Sequence, residues 1–257
     1  LNQAERRHLP QLTGSSHAVF VSLDEEAVAL RFFTATGELP ACGHGTVAAL
    51  AFLAEHSGCA AHEVTLRAGG RSFAGRSNQD GLAEFDPGEV RLDARREDHD
   101  VVLDALGCRS DVLLSDVCLA SIGRPRLLVP VSTPSALAEL RPDYARLRDV
   151  CDRLGLLGCY VYSPPSAVGR LAARMFAPSI GVPEDIANAN STACLMALLA
   201  QRGTHRISVD MGDSLGRPAT ITATASTTRS GHQIRVGGSA KVTETILLTP
   251  AKFRQCG

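Results

Sequence analysis

The chain has 257 residues, of which 44% are hydrophobic, with 26 basic and 27 acidic residues for a net charge of −1. That balance offers no basic field for nucleic acid or an anionic membrane, no apolar run reaches the ~18 residues of a membrane-spanning helix, and no signal-peptide pattern opens the chain, so a cytoplasmic protein is expected. The eight cysteines are scattered without C-x-x-C or spaced Cys/His pairs, which favours reduced buried thiols over disulfides or a zinc site.

Strand signals dominate the chain. Short β-branched or alternating runs occur at residues 19–21, 28–33, 64–67, 127–131, 160–162, 207–211, 219–226 and 233–236. Gly69-Gly70, Pro87-Gly88, Pro164-Pro165 and Gly237-Gly238 punctuate them. Helices are predicted over residues 45–56, stopped by Gly58, and 191–201, stopped by Gly203. Both are apolar nearly all round, so each should be wrapped by other structure. Two further helices are expected. Residues 134–140 start with Thr133 as cap and Pro134 at the first position. Residues 143–154 carry Tyr144, Leu147, Cys151 and Leu154 at helical spacing. The charge run Arg95-Arg96-Glu97-Asp98-His99-Asp100 reads as solvated loop. Two halves, 1–115 and 116–257, are expected, with the C-terminal strand able to return to the first.

The halves follow from an internal repeat. Phe32-Phe33, a turn, Glu38, the loop Cys42-Gly43-His44-Gly45-Thr46 and an apolar run over 47–54 are echoed further on. There the chain reads Met175-Phe176, Glu184-Asp185, Asn188-Ala189-Asn190-Ser191-Thr192 and an apolar run over 193–200. The offset from Thr46 to Thr192, 192 − 46 = 146, is too long for a solenoid period and fits a duplicated half. Two facing halves would bring together two acids and two helix N-termini, a plausible site for moving a proton on a small anion.

Glu38 is either a surface turn acid or a general acid/base. Apolar walls from Phe33, Leu39 and Pro40 would raise its pKa. Asp185 carries the same ambiguity, because Asp ahead of a helix is often a local turn or cap. Two acids on opposite faces of a substrate could remove a proton at one carbon and return it at another. The small-residue loops could hold a carboxylate on backbone N–H groups, with simple capping by Asn190 or Ser191 as the alternative. Cys42 at a helix start invites a thiol reading. A two-thiol racemase would need a second Cys near Ala187, where there is none, and Cys194 lies inside the helix. His44 is either a substrate contact or satisfies its loop, and His17 is undecided. No nucleophile elbow and no P-loop or Rossmann glycine pattern is present.

The segments RFFTATGELPACGHGTVAALAFL and ARMFAPSIGVPEDIANANSTACLMALLA resemble the two signatures of the PhzF-like family of phenazine-biosynthesis isomerases; SIGRPRLLVPV and IRVGGSAKV are also similar in place and wording. The resemblance covers nearly the whole chain. It implies an α+β fold like diaminopimelate epimerase, with two pseudo-symmetric halves, each a β-barrel-like sheet around a central apolar helix. It further implies a homodimer without cofactor or metal that acts on a small carboxylic acid. By the same resemblance Glu38 shuttles the proton and Asp185 matches the acid of the second signature. Cys42, Gly43, His44, Asn188, Ala189, Asn190 and Ser191 then contact the substrate.

Three departures stand out. The usual Thr-Gly-Ser of the second loop reads Asn188-Ala189-Asn190. The family's His after the first helix has no clear match, Arg71 being the nearest residue. The family's N-terminal strand, with its Gly-Asn-Pro turn, would precede Leu1. The expected function is a cofactor-independent double-bond isomerase of a small cyclic amino or imino acid, in secondary-metabolite or antibiotic biosynthesis. A racemase using Glu38 with Cys42 or Asp185, or a non-catalytic acid-binding protein, are the alternatives.

Overall fold

A computed structural model describes residues 1–247 apart from 16, 24–26, 59, 60, 79, 94–98 and 230. The chain divides into two units: Leu1–Phe85 with the residues from Gly237 onward, and Asp86–Val236.

In unit 1, α1 (Gln3–Leu12) opens on a reciprocal cap: Asn2 Oδ1 accepts from Glu5 N–H at 3.0 Å, and Glu5 Oε2 accepts from Asn2 N–H at 2.8 Å. This helix is absent from the sequence-based expectation, because Pro10 within it breaks the pattern a helix is read from. β1 (Ala18–Leu23) and β2 (Val28–Phe33) pair antiparallel, and the two-residue β3 (Glu38–Leu39) folds back on β2 with Glu38 opposite Phe33. After α2 (Gly43–Ser57), β4 (Ala61–Ala68) lies parallel to β2, and β5 (Arg71–Asn78) and β6 (Leu82–Phe85) extend the sheet antiparallel. α2 packs on β1, β4, β5 and β6, so the sheet curls around it. It stops at Gly58, whose φ of 64° suits a residue without Cβ. The wrapping is incomplete, contrary to expectation: Ala48, Phe52 and Glu55 form an exposed stripe at helical spacing.

Unit 2 begins with β7 (Arg91–Asp93) and α3 (His99–Leu106). Of the charge run read as loop, residues 95–98 lie outside the described residues, while His99 and Asp100 begin a helix and His99 is buried. The residues that follow, Val102, Leu103, Ala105 and Leu106, bury one side of α3 in the unit 2 core. Because β7 pairs with β8 (Cys118–Ile122) and α3 packs on α5, the division falls at Phe85/Asp86 rather than near residue 115.

β9 (Arg124–Pro130) follows, then α4 (Pro134–Glu139) and α5 (Tyr144–Arg153), capped by Thr133 and Asp143. β10 (Cys159–Tyr162) runs parallel to β9, β11 (Arg170–Ala177) pairs antiparallel with β10, and the short β12 (Val182–Asp185) folds onto β11. After α6 (Ala189–Ala200), β13 (Arg206–Met211) lies parallel to β11 and β14 (Ala219–Thr228) pairs with β13. β15 (Gly231–Ser239) is the last strand among the described residues; its residues from Gly237 lie beside β6 in unit 1, where a Cβ on Gly237 would come within 2.1 Å of the Ala83 carbonyl oxygen.

Alternation decides the layers of unit 2. Leu127, Val129, Cys159 and Val161 pack with α3, α4 and α5, whereas the intervening Tyr160 turns to α6 and shares a hydrogen bond of 2.8 Å with Thr192. Both faces are buried, which explains the unbroken apolar runs of β9 and β10. α6 packs on β7, β8, β9, β13 and β14 and is buried along nearly its whole length.

Candidate functional site

The repeated strand–turn–helix is built in each unit, and each copy sets an acid ahead of a helix start. In unit 1 the β2–β3 turn is closed by Thr34 N–H donating to Gly37 O at 2.8 Å. Antiparallel register then sets Glu38 opposite Phe33, and Arg31, one pleat away on the same face, reaches it. Arg31 Nε donates to Glu38 Oε1 at 2.7 Å and Nη2 to Oε2 at 2.6 Å. The Arg31 guanidinium lies 5.3 Å from the Phe33 ring centre and that of Arg6 5.8 Å.

The apolar walls expected around Glu38 are therefore replaced by a cation, and its side chain keeps 35% of its exposure. Hydrogen bonding from Arg31, with the charges of Arg31 and Arg6, holds the Glu38 carboxyl below the usual range and outweighs its small desolvation. The expected raised pKa is corrected: the shift is downward, because Arg31 favours the charged form of Glu38.

At the start of α2, Cys42 is the N-cap residue, and its carbonyl accepts from Thr46 N–H and Thr46 Oγ1, both at 2.9 Å. Gly43 and His44 are the first two helical residues. His44 Nε2 lies 3.4 Å from Cys42 Sγ and 3.1 Å from His17 Nδ1, so His17, undecided from sequence, joins this loop. Gly69, in the β4–β5 turn, approaches the loop after Glu38 so closely that a Cβ would sit 2.4 Å from the Pro40 carbonyl oxygen.

In unit 2, Arg174 Nε and Nη2 donate to Glu184 Oε1 and Oε2 at 2.9 and 2.7 Å, and the guanidinium lies 4.8 Å from the Phe176 ring centre. Burial pushes the Glu184 carboxyl up, but hydrogen bonds from Arg174 and Ser214 and the Arg174 charge bring it below its ordinary value. Asp185 is half-buried and accepts from Asn188 Nδ2 at 3.0 Å, while Asn188 Oδ1 accepts from Ser191 N–H at 2.9 Å. The cap of α6 is therefore Asn188, not Asn190 or Ser191, because only the residue before the first turn can turn its side chain onto the third N–H. Ala189 and Asn190 are the first helical residues, and their N–H groups have no acceptor within the helix.

Behind this helix start lies Arg126, 1% exposed, whose Nη1 donates to Ser191 Oγ at 3.1 Å and whose Nη2 donates to the carbonyls of Ile122 and Arg124. Its Nε has no partner among the described residues. A buried guanidinium and a helix dipole thus both bias this corner toward an anion. Cys194 is fully buried and its thiol is pushed up to about 11 by burial, as fits a packing residue. The sequence-based reading missed Arg31, Arg174 and Arg126. The first two could have been found by extending the repeat one residue, since Arg31-Phe32-Phe33 is echoed by Arg174-Met175-Phe176. Arg126 is the second of two arginines, Arg124 and Arg126, at the head of an apolar run, and nothing in the sequence tells the buried one from the exposed one.

Residues 1–245 match the model of the phenazine biosynthesis-like protein family. An uncharacterized isomerase of Deinococcus radiodurans is 30% identical, over 94% of this chain and 84% of the relative. An uncharacterized isomerase of Escherichia coli K12, YddE, is 26% identical over 94% and 87%. A solved phenazine biosynthesis protein of the PhzF family from Bacillus anthracis superposes with a TM-score of 0.79 at 17% identity, covering 93% of this chain and 86% of that one. The chain belongs to the phenazine biosynthesis-like family and, with these relatives, is an isomerase of epimerase-like fold.

Proposed function

We propose that this member of the phenazine biosynthesis-like family moves a proton within a small cyclic amino or imino carboxylic acid, shifting a double bond, with Glu38 as the base. The observation that carries the reading is the two-point contact of Arg31 with Glu38, at 2.7 and 2.6 Å, which favours the charged form of the carboxyl. Each oxygen accepts one hydrogen bond from Arg31 and keeps a second lone pair, with which Glu38 can take a proton. In the step proposed, a substrate C–H breaks and its proton goes to Glu38. The electron pair forms the new double bond, the old double bond takes up a proton at its far carbon, and Glu38 returns to the carboxylate. Arg31 favours that return, because it stabilises the charged form.

The N-terminal turn of α6, with Asn188, Ala189 and Asn190 in front and Ser191 and Arg126 behind, is assigned to the substrate carboxylate. Asp185, tied to Asn188, sets the position of that residue. Cys42, Gly43 and His44 are assigned to the substrate in unit 1.

The test is deuterium uptake in D₂O from a panel of pyrroline carboxylates, dihydro-hydroxyanthranilate and amino acids, read by mass spectrometry beside Glu38→Gln. Uptake with double-bond migration, lost in the variant, is the expected result. Equal uptake in both proteins removes Glu38 as the base. Uptake at a stereocentre without migration replaces the reading by racemisation.

A further inference from the structure

We propose that His17, Cys42 and His44 form a binding site for a zinc-class divalent cation, with two imidazole nitrogens and one thiolate as ligands. The three come from two elements: His17 immediately precedes β1, while Cys42 caps α2 and His44 lies in its first turn. Their ligand atoms all lie within 4.8 Å of one another. Tetrahedral zinc, with Zn–N near 2.0–2.1 Å and Zn–S near 2.3 Å, requires N···N edges of about 3.3 Å and N···S edges of about 3.5 Å. The His44 Nε2···His17 Nδ1 and His44 Nε2···Cys42 Sγ separations are 3.1 and 3.4 Å, so two of the three edges are already close to those of such a centre.

The rings of His17 and His44 meet edge to face, with centres 4.5 Å apart and planes at 84°. Both short contacts converge on one atom, His44 Nε2, which in a neutral imidazole has one proton or one lone pair and cannot serve both neighbours in the same way. A cation among the three atoms takes a lone pair from each, with the Cys42 proton released to solvent.

The thiol is placed rather than incidental. Cys42 is buried, its backbone is held by both groups of Thr46, and its sulfur makes no capping bond to the helix. Gly45 leaves the space that sulfur occupies, since a Cβ there would lie 3.2 Å from Sγ. His44 is exposed and His17 half-buried, so solvent reaches this side of the cluster and water can complete a three-ligand site. The matching positions of unit 2, Asn188 and Asn190, carry no such ligands, and Asn188 is spent on capping. Sequence spacing hid the cluster, because His17 stands far from the Cys-x-His pair.

The test uses the full chain freed of metal by chelator dialysis and titrated with Co²⁺, then Zn²⁺. One Co²⁺ per chain should bind with intense visible bands of a tetrahedral centre and a thiolate-to-cobalt charge-transfer band, and Zn²⁺ should bleach both. Cys42→Ser should abolish the charge-transfer band, and His17→Gln and His44→Gln, which remove direct ligands, should each weaken binding by at least the roughly 10–100-fold that loss of an outer-shell partner costs. As a readout independent of the variants' folding, Zn²⁺ should slow alkylation of Cys42 in the wild-type chain, followed by peptide mass spectrometry. A weak octahedral cobalt spectrum, a charge-transfer band that survives Cys42→Ser, or Cys42 alkylation indifferent to Zn²⁺ overturns the proposal. None of these readouts depends on proton transfer by Glu38.

Discussion

Arg31 and Glu38 form a two-point ion pair across the β2–β3 turn, with contacts of 2.7 and 2.6 Å, and the pair is repeated in unit 2 by Arg174 and Glu184 at 2.9 and 2.7 Å. The offset that aligns Thr46 with Thr192 carries Glu38 onto residue 38 + 146 = 184. The counterpart of Glu38 is thus Glu184, not Asp185. The two copies differ in burial: the side chains of Arg174 and Glu184 keep 11% and 5% of their exposure, against 42% and 35% for Arg31 and Glu38. One Arg–Glu fork has become structural, and the other remains open to a reactant.

Arg31→Met should raise the Glu38 carboxyl toward its ordinary value of about 4.3, read by carboxyl NMR titration of both proteins. Because the native value is depressed, the pair stabilises the fold above the unfolded-chain value and that contribution is lost as pH falls through the native one. The wild-type advantage in melting temperature should therefore shrink below about pH 4. It should be small throughout, since the pair is exposed. A Glu38 titration unchanged in Arg31→Met would remove Arg31 as the cause of the downward shift.

Arg174→Met should destabilise far more than Arg31→Met. It leaves the Glu184 carboxylate buried without its cation and also frees the carbonyls of Leu137 and Leu140, to which Arg174 Nη1 donates. A cost of about 3 kcal/mol is expected in urea unfolding, partly recovered in Arg174→Met/Glu184→Gln because the stranded charge is gone. Equal costs for the two arginines would show that the forks do the same work.

Gly158→Ala should cost at least about 2 kcal/mol. Gly158 has a φ of 154°, and a Cβ there would lie 1.9 Å from the Phe176 carbonyl oxygen, between paired strands β10 and β11. Gly155→Ala is the control: its φ is 67° but nothing lies within 4 Å of the added Cβ, so only the left-handed strain of about 1 kcal/mol applies. Similar unfolding midpoints for the two variants would mean that β11 yields to the clash.

Much of this was legible in the sequence for a definite reason. Period-2 runs such as 28–33 and 160–162 lie in strands because burial on one or both faces selects that pattern, and the two apolar helices announce themselves by lacking a polar side. α3 was hidden because its start is a charge run whose buried member, His99, reads as polar. β5, with Arg71, Ser72, Ser77 and Asn78, is polar at alternate and terminal positions and is held by its register with β4 rather than by its own propensity. The acids of the site were visible in the repeat, but their electrostatics were not. Proximity along the chain gives Glu38 apolar neighbours, whereas strand register brings it Arg31. Partners supplied across a sheet are a property of register, and register has no local signature beyond the pattern itself.

Ser191→Ala should separate the role of Arg126 from that of the helix cap. Asn188 Oδ1 holds Ser191 N–H, so the cap survives the change, but Arg126 loses the only side-chain oxygen that it meets among the described residues. A guanidinium 1% exposed and served only by two carbonyls should cost about 1.5–3 kcal/mol in stability. Desolvation already lowers the Arg126 pKa, yet an arginine stays charged at any physiological pH, so its field remains at the α6 start in Ser191→Ala. Arg126→Met removes that field. If the corner holds the substrate carboxylate, Arg126→Met should raise KM several-fold with kcat little changed, whereas Ser191→Ala should move KM less than it moves stability. A KM unmoved in folded Arg126→Met would assign Arg126 to packing alone and leave the backbone N–H groups of Ala189 and Asn190 to hold the anion unaided.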